Sequence, residues 1–121
     1  MEIKQLDAEY TYEYDLDIVN IKVKQNYIYS QSIDFDVGVF LDFDLNDFPV
    51  NLEIIDASKR IGVEKNFLIN PSGDVNIMIK ADEIKLEVHF KNHGGEYVLE
   101  YFNYHSANLK ILDSETHLAL I

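Results

Sequence analysis

The sequence predicts a mainly β protein, with an α+β fold as the second choice, on two observations, and its length predicts a single unit. Apolar and polar residues alternate with a period of two along five segments, which is typical of strands with one buried face. The aromatic residues that suit a pleated sheet are abundant, with eight Tyr and seven Phe. The chain of 121 residues is long enough for one globular unit, over 1–121.

Each of the five predicted strands places its apolar side chains on one face. These residues are Val19, Ile21 and Val23; Val39, Leu41 and Phe43; Val50, Leu52 and Ile54; Val75, Ile77 and Ile79; and Ile84, Leu86, Val88 and Phe90. Turn residues separate the strands at 46–47, 70–74 and 92–95. Two short helices are predicted, at 56–61, where Gly62 ends the helix, and at 113–120, each with an Asp or Ser as its cap.

A hairpin is predicted around a two-residue turn of Asn46 and Asp47. This register keeps the apolar residues of both strands on one face, which is the condition that fixes pairing. The inward pairs are Leu41 with Leu52 and Phe43 with Val50, and the outward pairs are Asp42 with Asn51 and Asp44 with Pro49.

Three segments recur in order at an offset of 56 to 58 residues, which predicts an internal duplication. The matches are VNIKVK (19–24) with VNIMIK (75–80), VFLDF (39–43) with YVLEY (97–101), and NLEIIDAS (51–58) with NLKILDSE (108–115). The expected fold is two related antiparallel meanders with short helices, 12–61 and 68–118, related by a pseudo-two-fold axis. Ile54 and Ile111 would then occupy equivalent buried positions.

The stretch 12–61 resembles the small prokaryotic proteins of domain of unknown function 2283. The resemblance depends on an opening with Tyr12, Glu13 and Asp17, on Gly38, Asp42 and Asp44 before the hairpin, and on an ending with Glu53, Ile54, Ala57, Ser58, Lys59 and Arg60. The chain departs from the family pattern at Asp47 and Asn51, where glycine is usual. The family has no established activity, so the resemblance implies a shape and, since family members are sometimes found beside small toxins, an antitoxin-like role.

Composition excludes several functions. The formal net charge of −12 opposes binding to nucleic acid or to an anionic membrane. The absence of cysteine removes disulfides, thiolate metal sites and cysteine nucleophiles, and it fits a reducing cytoplasm. The N-terminus does not have the pattern of a secretory signal, and no apolar run is long enough to span a membrane.

Divalent-ion binding, with calcium as the favoured ion, is the alternative function. Asp42, Asp44, Asn46 and Glu53 have the spacing of positions 1, 3, 5 and 12 of a calcium loop, but the flanking segments alternate like strands and Glu53 would lie opposite Phe40. A looser site would combine Asp42 and Asp44 with Asp34 or Asp36. His89 and His93 are four residues apart, which suits zinc on a helix but not on a strand.

We expect a non-enzymatic module that needs no cofactor. Ser58, between Asp56 and Lys59, is interpreted as a helix cap and not as a nucleophile. The predicted contact surface consists of Asp34, Asp36, Asp42, Asp44, Tyr10 and Tyr12, and its predicted partner is a basic protein. The chain is expected to be a monomer or a weak dimer.

Overall fold

The computed structural model describes residues 3–81, 83–104 and 113–120. The strands of this part are β1 (Ile3–Glu13), β2 (Ile18–Val23), β3 (Tyr29–Asp34), β4 (Val39–Asp44), β5 (Pro49–Ile55), β6 (Ser72–Lys80), β7 (Glu83–Asn92), β8 (Gly95–Tyr104) and β9 (Ser114–Leu120). They form one curled sheet in the order β3-β4-β5-β2-β1-β9-β6-β7-β8, in which only β1 and β9 are parallel neighbours. The predicted mainly β fold is confirmed.

The hydrophobic core fills the inner face of the curled sheet. All the apolar residues predicted to face inward from the five strands are at most 2% exposed. Burying such a side chain contributes about 1.5–3 kcal/mol, so the period of two accounts for most of the driving force for this fold. Ala8 of β1 and Leu118 of β9 complete the core from strands that were not predicted.

The two edges of the sheet approach each other where β3 ends. The side-chain amide of Asn103 on β8 donates to the carbonyl oxygen of Asp34 on β3 at 3.0 Å, and the rings of Phe35 and Tyr101 lie 6.4 Å apart. The connection from β5 to β6 also packs against the sheet: it contains the helix α1 (Ala57–Ile61) and a 3₁₀ turn (Lys65–Leu68), and Leu68 is fully buried.

The first predicted helix is confirmed and the second is wrong. Gly62 ends α1 in the left-handed conformation, and its N–H donates to the carbonyl oxygen of Ser58 at 2.9 Å. Residues 114–120 form strand β9 between β1 and β6, with Ser114 and Thr116 facing inward. Because Ser and Thr are polar, the alternation of buried and exposed positions in β9 does not appear as an alternation of apolar and polar residues. Neither helical segment of the described ranges has the length and apolar character needed to cross a membrane.

The predicted hairpin forms, but half of its register is wrong. Leu41 pairs with Leu52 and Asp42 with Asn51, as predicted, whereas Phe43 pairs with Pro49 because a bulge follows Asp42. The predicted pairs of Phe43 with Val50 and of Asp44 with Pro49 are therefore corrected.

The bulge has a local cause in the turn. Asp44 and Phe48 close the turn through a backbone hydrogen bond of 2.9 Å, and Asp47 is left-handed at φ 64°. Pro49 has no N–H to donate to the ladder, and proline in a sheet is tolerated at bulges and strand starts.

The predicted duplication is not shown, because the strand orders of the two halves differ. β6 forms a hairpin with β7, whereas β2, its counterpart in the repeat, lies beside β5. The difference arises because the segment 24–28 carries the chain past β5 and β4 before β3 begins. Ile111 and most of 108–115 lie outside the described residues.

Candidate functional site

The four predicted aspartates lie on the first meander, which we define as β3, β4 and β5. Asp34 and Asp36 are exposed, and Asp42 and Asp44 are half-buried on the outer face of β4. Together with Asp47 and Glu53 they form what we call the acidic face. The sequence has no Lys or Arg between Lys24 and Lys59, so this face carries no basic residue of its own.

Two of these carboxylates fix the turns at either end of β4. Asp34 Oδ1 accepts the backbone N–H groups of Asp36 and Gly38 at 3.2 and 3.4 Å. At the other end, Asp44 Oδ1 accepts the N–H groups of Asn46 and Phe48 at 2.9 and 3.0 Å. An asparagine side chain offers an oxygen for the same bonds. These hydrogen bonds therefore require a short side chain with an acceptor oxygen at positions 34 and 44, but they do not require a negative charge there.

Asp42 is held by neutral donors from both adjacent strands. Ser32 Oγ donates to Asp42 Oδ1 at 2.5 Å, and Asn51 Nδ2 donates to Asp42 Oδ2 at 3.0 Å. The carboxylate also acts on Tyr27, whose phenol pKa is raised by burial and then by the charge of Asp42. Each Asp42 oxygen therefore already accepts a hydrogen bond from the protein.

The carboxylates proposed as calcium ligands are spread along the ladder. Asp42 lies opposite Ser32 and Asp34 lies opposite Phe40, which places the two aspartates two rungs, about 7 Å, apart along the strands. Glu53 lies opposite Phe40, as predicted. Among the described residues there is no group of three or more His, Asp or Glu side chains that could hold a metal ion.

Arg60 of α1 is the cation that approaches the acidic face. Its Nη1 lies 3.2 Å from Asp36 Oδ2, its Nη2 donates to the carbonyl oxygen of Val37 at 2.5 Å, and its Nε donates to that of Ile55 at 2.7 Å. Gly38, at φ 118°, leaves room for this guanidinium, because a Cβ there would lie 2.8 Å from Arg60 Nη2. Arg60 thus offsets the charge of Asp36 while it holds the β3–β4 turn against α1.

Tyr10 and Tyr12 are not the exposed tyrosines that the sequence suggested. Both are half-buried on the inner side of β1, and both pack against the core. The Tyr10 hydroxyl donates to the carbonyl oxygen of Leu68 at 2.7 Å, and the Tyr12 hydroxyl donates to Asp17 Oδ1 at 2.6 Å. Burial raises the pKa of each phenol above its ordinary value, so both stay protonated as donors. The more exposed tyrosines are Tyr14 and Tyr29.

Asp17 caps α1 from the β1–β2 turn. Its Oδ1 accepts the N–H of Ser58 at 3.0 Å, its Oδ2 accepts the Ser58 hydroxyl at 2.6 Å, and its backbone oxygen accepts the N–H of Ala57 at 3.0 Å. Of the two caps that the sequence suggested, Asp56 and Ser58, neither caps the helix: Asp56 makes no side-chain cap bond and is itself left-handed at φ 55°, and the Ser58 hydroxyl donates to Asp17. Burial by itself raises the pKa of Asp17, but the hydrogen bonds from Ser58 and Tyr12 outweigh it and hold that pKa below its usual value.

This network assigns Ser58 to structure. Ser58 is 7% exposed, and its hydroxyl donates to Asp17, whose lowered pKa makes that carboxylate a weak general base. His89, on the outer face of β7, lies 3.3 Å from Glu87, while His93 lies in the turn before β8. The pattern that carries the family resemblance contains Tyr12, Asp17 and Ser58, but its spacing did not show that they touch.

A cleft of about 870 Å³ opens beside the acidic face, between β2 and the segment 24–28. It is lined by Glu9, Tyr10, Lys22, Val23, Lys24, Gln25, Asn26, Tyr27 and Tyr29. A second space of about 340 Å³ shares Glu9, Lys22 and Tyr27 with it and reaches Asn51. This cleft could not be predicted from the sequence, because the segment 24–28 that lines it has no regular periodicity.

Comparison of the chain with family models, curated proteins and solved structures found no match. The resemblance to domain of unknown function 2283 therefore remains an expectation from the sequence.

Proposed function

We propose that the protein is a non-enzymatic interaction module that binds a basic segment of a partner protein on its acidic face. The observation that carries the proposal is the run 25–58, which has seven acidic residues and no Lys or Arg. The seven are Asp34, Asp36, Asp42, Asp44, Asp47, Glu53 and Asp56. Charge of one sign on one surface steers an oppositely charged partner toward it.

The proposal is supported by negative charge on the acidic face that the fold does not need. Asp34 and Asp44 each accept their hydrogen bonds on a single oxygen, as a neutral amide could, so their charge adds repulsion to the fold without adding a bond. Among the described residues of the face, only Asp36 forms an ion pair within the chain. Binding to a cationic segment would relieve this repulsion. An antitoxin-like role, which the resemblance implies, is one form of such binding.

The proposal is tested with two variants that lose the same number of charges. In the first, Asp34, Asp42 and Asp44 become Asn and Glu53 becomes Gln, which keeps one acceptor oxygen at each position. Of the three aspartates, only Asp42 then loses one of its two accepted hydrogen bonds. In the matched control, four carboxylates outside the acidic face become Gln: Glu13, Glu64, Glu83 and Glu100. Association of a fluorescein-labelled oligolysine peptide is followed by stopped flow at increasing salt.

We expect the first variant to associate more slowly than the parent, and the control to keep most of the parental rate. High salt should remove the difference, because the Debye length falls from about 8 Å at physiological ionic strength to about 3 Å at 1 M. Equal slowing by both variants would mean that the peptide senses only net charge, and the acidic face would then be no binding site.

A further inference from the structure

The cleft between β2 and the segment 24–28 brings both signs of charge together on the outer face of the sheet. Glu9, Lys22 and Asn51 are direct neighbours on β1, β2 and β5, so their Cα atoms lie in one row across strands about 4.8 Å apart. Lys24 lies just beyond the end of β2, where its N–H donates to the carbonyl oxygen of Asp7 at 3.1 Å, and it lines the same cleft. The row therefore presents a carboxylate, an ammonium group and an amide side by side.

The two lysines of the cleft have no carboxylate partner. Among the described residues, no Asp or Glu lies within ion-pair distance of Lys22 or Lys24, although acidic residues outnumber basic ones 22 to 10 in the sequence. Lys22 Nζ instead lies 5.7 Å from the centre of the Tyr27 ring. Two unpaired ammonium groups in one cleft are suited to an anionic group of a ligand.

The two acceptors beside Lys22 differ in whether a ligand can reach them. Asn51 Nδ2 donates to Asp42, and Asn51 Oδ1 is buried and accepts no hydrogen bond from the described part of the chain, so this oxygen is closed to a ligand. Glu9 is exposed on the other side of Lys22 and lines both spaces, so its carboxylate is the acceptor for an N–H group of a ligand.

We propose that this cleft binds a small zwitterion of the α-amino acid class, with its carboxylate held by Lys22 and Lys24 and its ammonium group by Glu9. A neutral ligand overall is favoured because a net charge of −12 repels anions, while the lysines repel cations. Tyr27 and Tyr29 line the cleft, so a ligand with an aromatic side chain is chosen because it can stack on a phenol ring. This site is independent of the proposed binding of a basic protein.

The test compares three molecules that share one phenyl ring. L-Phenylalanine carries both charged groups, phenethylamine lacks the carboxylate, and 3-phenylpropanoate lacks the ammonium group. Each is titrated into the ¹⁵N-labelled protein, and amide shifts are followed for the residues of the cleft. We expect L-phenylalanine to shift the resonances of Lys22, Lys24 and Tyr27, with an affinity about tenfold or more above that of either analogue, the size of one charge-assisted contact.

Variants then locate the carboxylate. Lys24→Gln should weaken L-phenylalanine binding about tenfold while leaving phenethylamine unchanged, and Lys59→Gln, an exposed change on α1, should alter neither. The proposal is overturned if either analogue binds as tightly as L-phenylalanine, if Lys24→Gln binds it like the parent, or if none of the three shifts a cleft resonance. Because the analogue series uses the unaltered chain, the proposal stays testable even if a variant fails to fold.

Discussion

The first meander and the second meander, which we define as β6, β7 and β8, have the same pairing pattern but differ in how they are stabilised. The first has strands of 6, 6 and 7 residues, and its carboxylates accept hydrogen bonds in its own turns. The second has strands of 9, 10 and 10 residues and carries ion pairs on its outer face, such as Lys85 with Glu87 and Lys91 with Glu96. The longer strands thus carry charges that are partly paired with each other, whereas the shorter strands carry side-chain hydrogen bonds and negative charge that is mostly unpaired.

This difference bears on where function resides. In the second meander, the hydrogen bond and the charge of Lys85 lower the pKa of Glu87 despite the partial burial of Glu87. Charged groups on the outer face of this meander therefore pair with each other within the sheet. In the first meander only Asp36 has a cationic partner among the described residues. A surface that keeps uncompensated charge, although neutral amides would satisfy the hydrogen bonds of Asp34 and Asp44, is the better candidate for binding another molecule.

The largest expected effect tests whether the two meanders share one core. Phe43 of β4 and Phe90 of β7 are 0% and 1% exposed, so changing either to Ala should cost about 3–5 kcal/mol of unfolding free energy. Denaturant unfolding followed by tyrosine fluorescence and by far-UV circular dichroism measures both variants. A loss confined to one signal in either variant would show that the meanders unfold separately, which contradicts a shared core.

The next effect separates side-chain bonds from surface ion pairs. Asp17→Ala leaves three donors without their acceptor, and we expect a loss of about 3 kcal/mol or more, since each buried unpaired donor costs about 1–3 kcal/mol. Asp15→Ala, an exposed change in the same turn, is the control and should be nearly neutral. Lys91→Ala, which removes an exposed ion pair of the second meander, should cost less than about 1 kcal/mol.

The same carboxyl should make part of the stability depend on acid pH. Because the folded pKa of Asp17 lies below its unfolded value of about 3.9, its contribution is complete above that value and is lost as the pH falls through the folded pKa. Asp17→Asn should therefore show a shallower decline of unfolding free energy with acid than the parent. Parallel declines in both proteins would assign the acid sensitivity to other carboxyls.

The sequence predicted those parts of the fold that depend on local alternation. Strands whose inward residues are Val, Ile, Leu or Phe were found at the right positions, and β9 was missed because Ser114 and Thr116 face inward. The order of the strands could not be predicted from the sequence, since it depends on how the segment 24–28 crosses the sheet. Asp17 could not be identified as the cap of α1, because a contact over 41 residues leaves no local pattern.

The smallest expected effect concerns calcium and would remove the main alternative use of the acidic face. Asp42 already accepts hydrogen bonds from Ser32 and Asn51, and Asp44 accepts two from its turn, so an ion would have to displace bonds that hold the hairpin together. A ligand at a hundredfold excess over its Kd adds about 2.7 kcal/mol of stability, which a thermal melt detects easily. We expect millimolar calcium to change the melting temperature no more than the same concentration of magnesium does. A large rise of the melting temperature with calcium alone, abolished by Asp42→Asn, would instead show that the first meander binds an ion. Calcium, and not a protein partner, would then balance its negative charge.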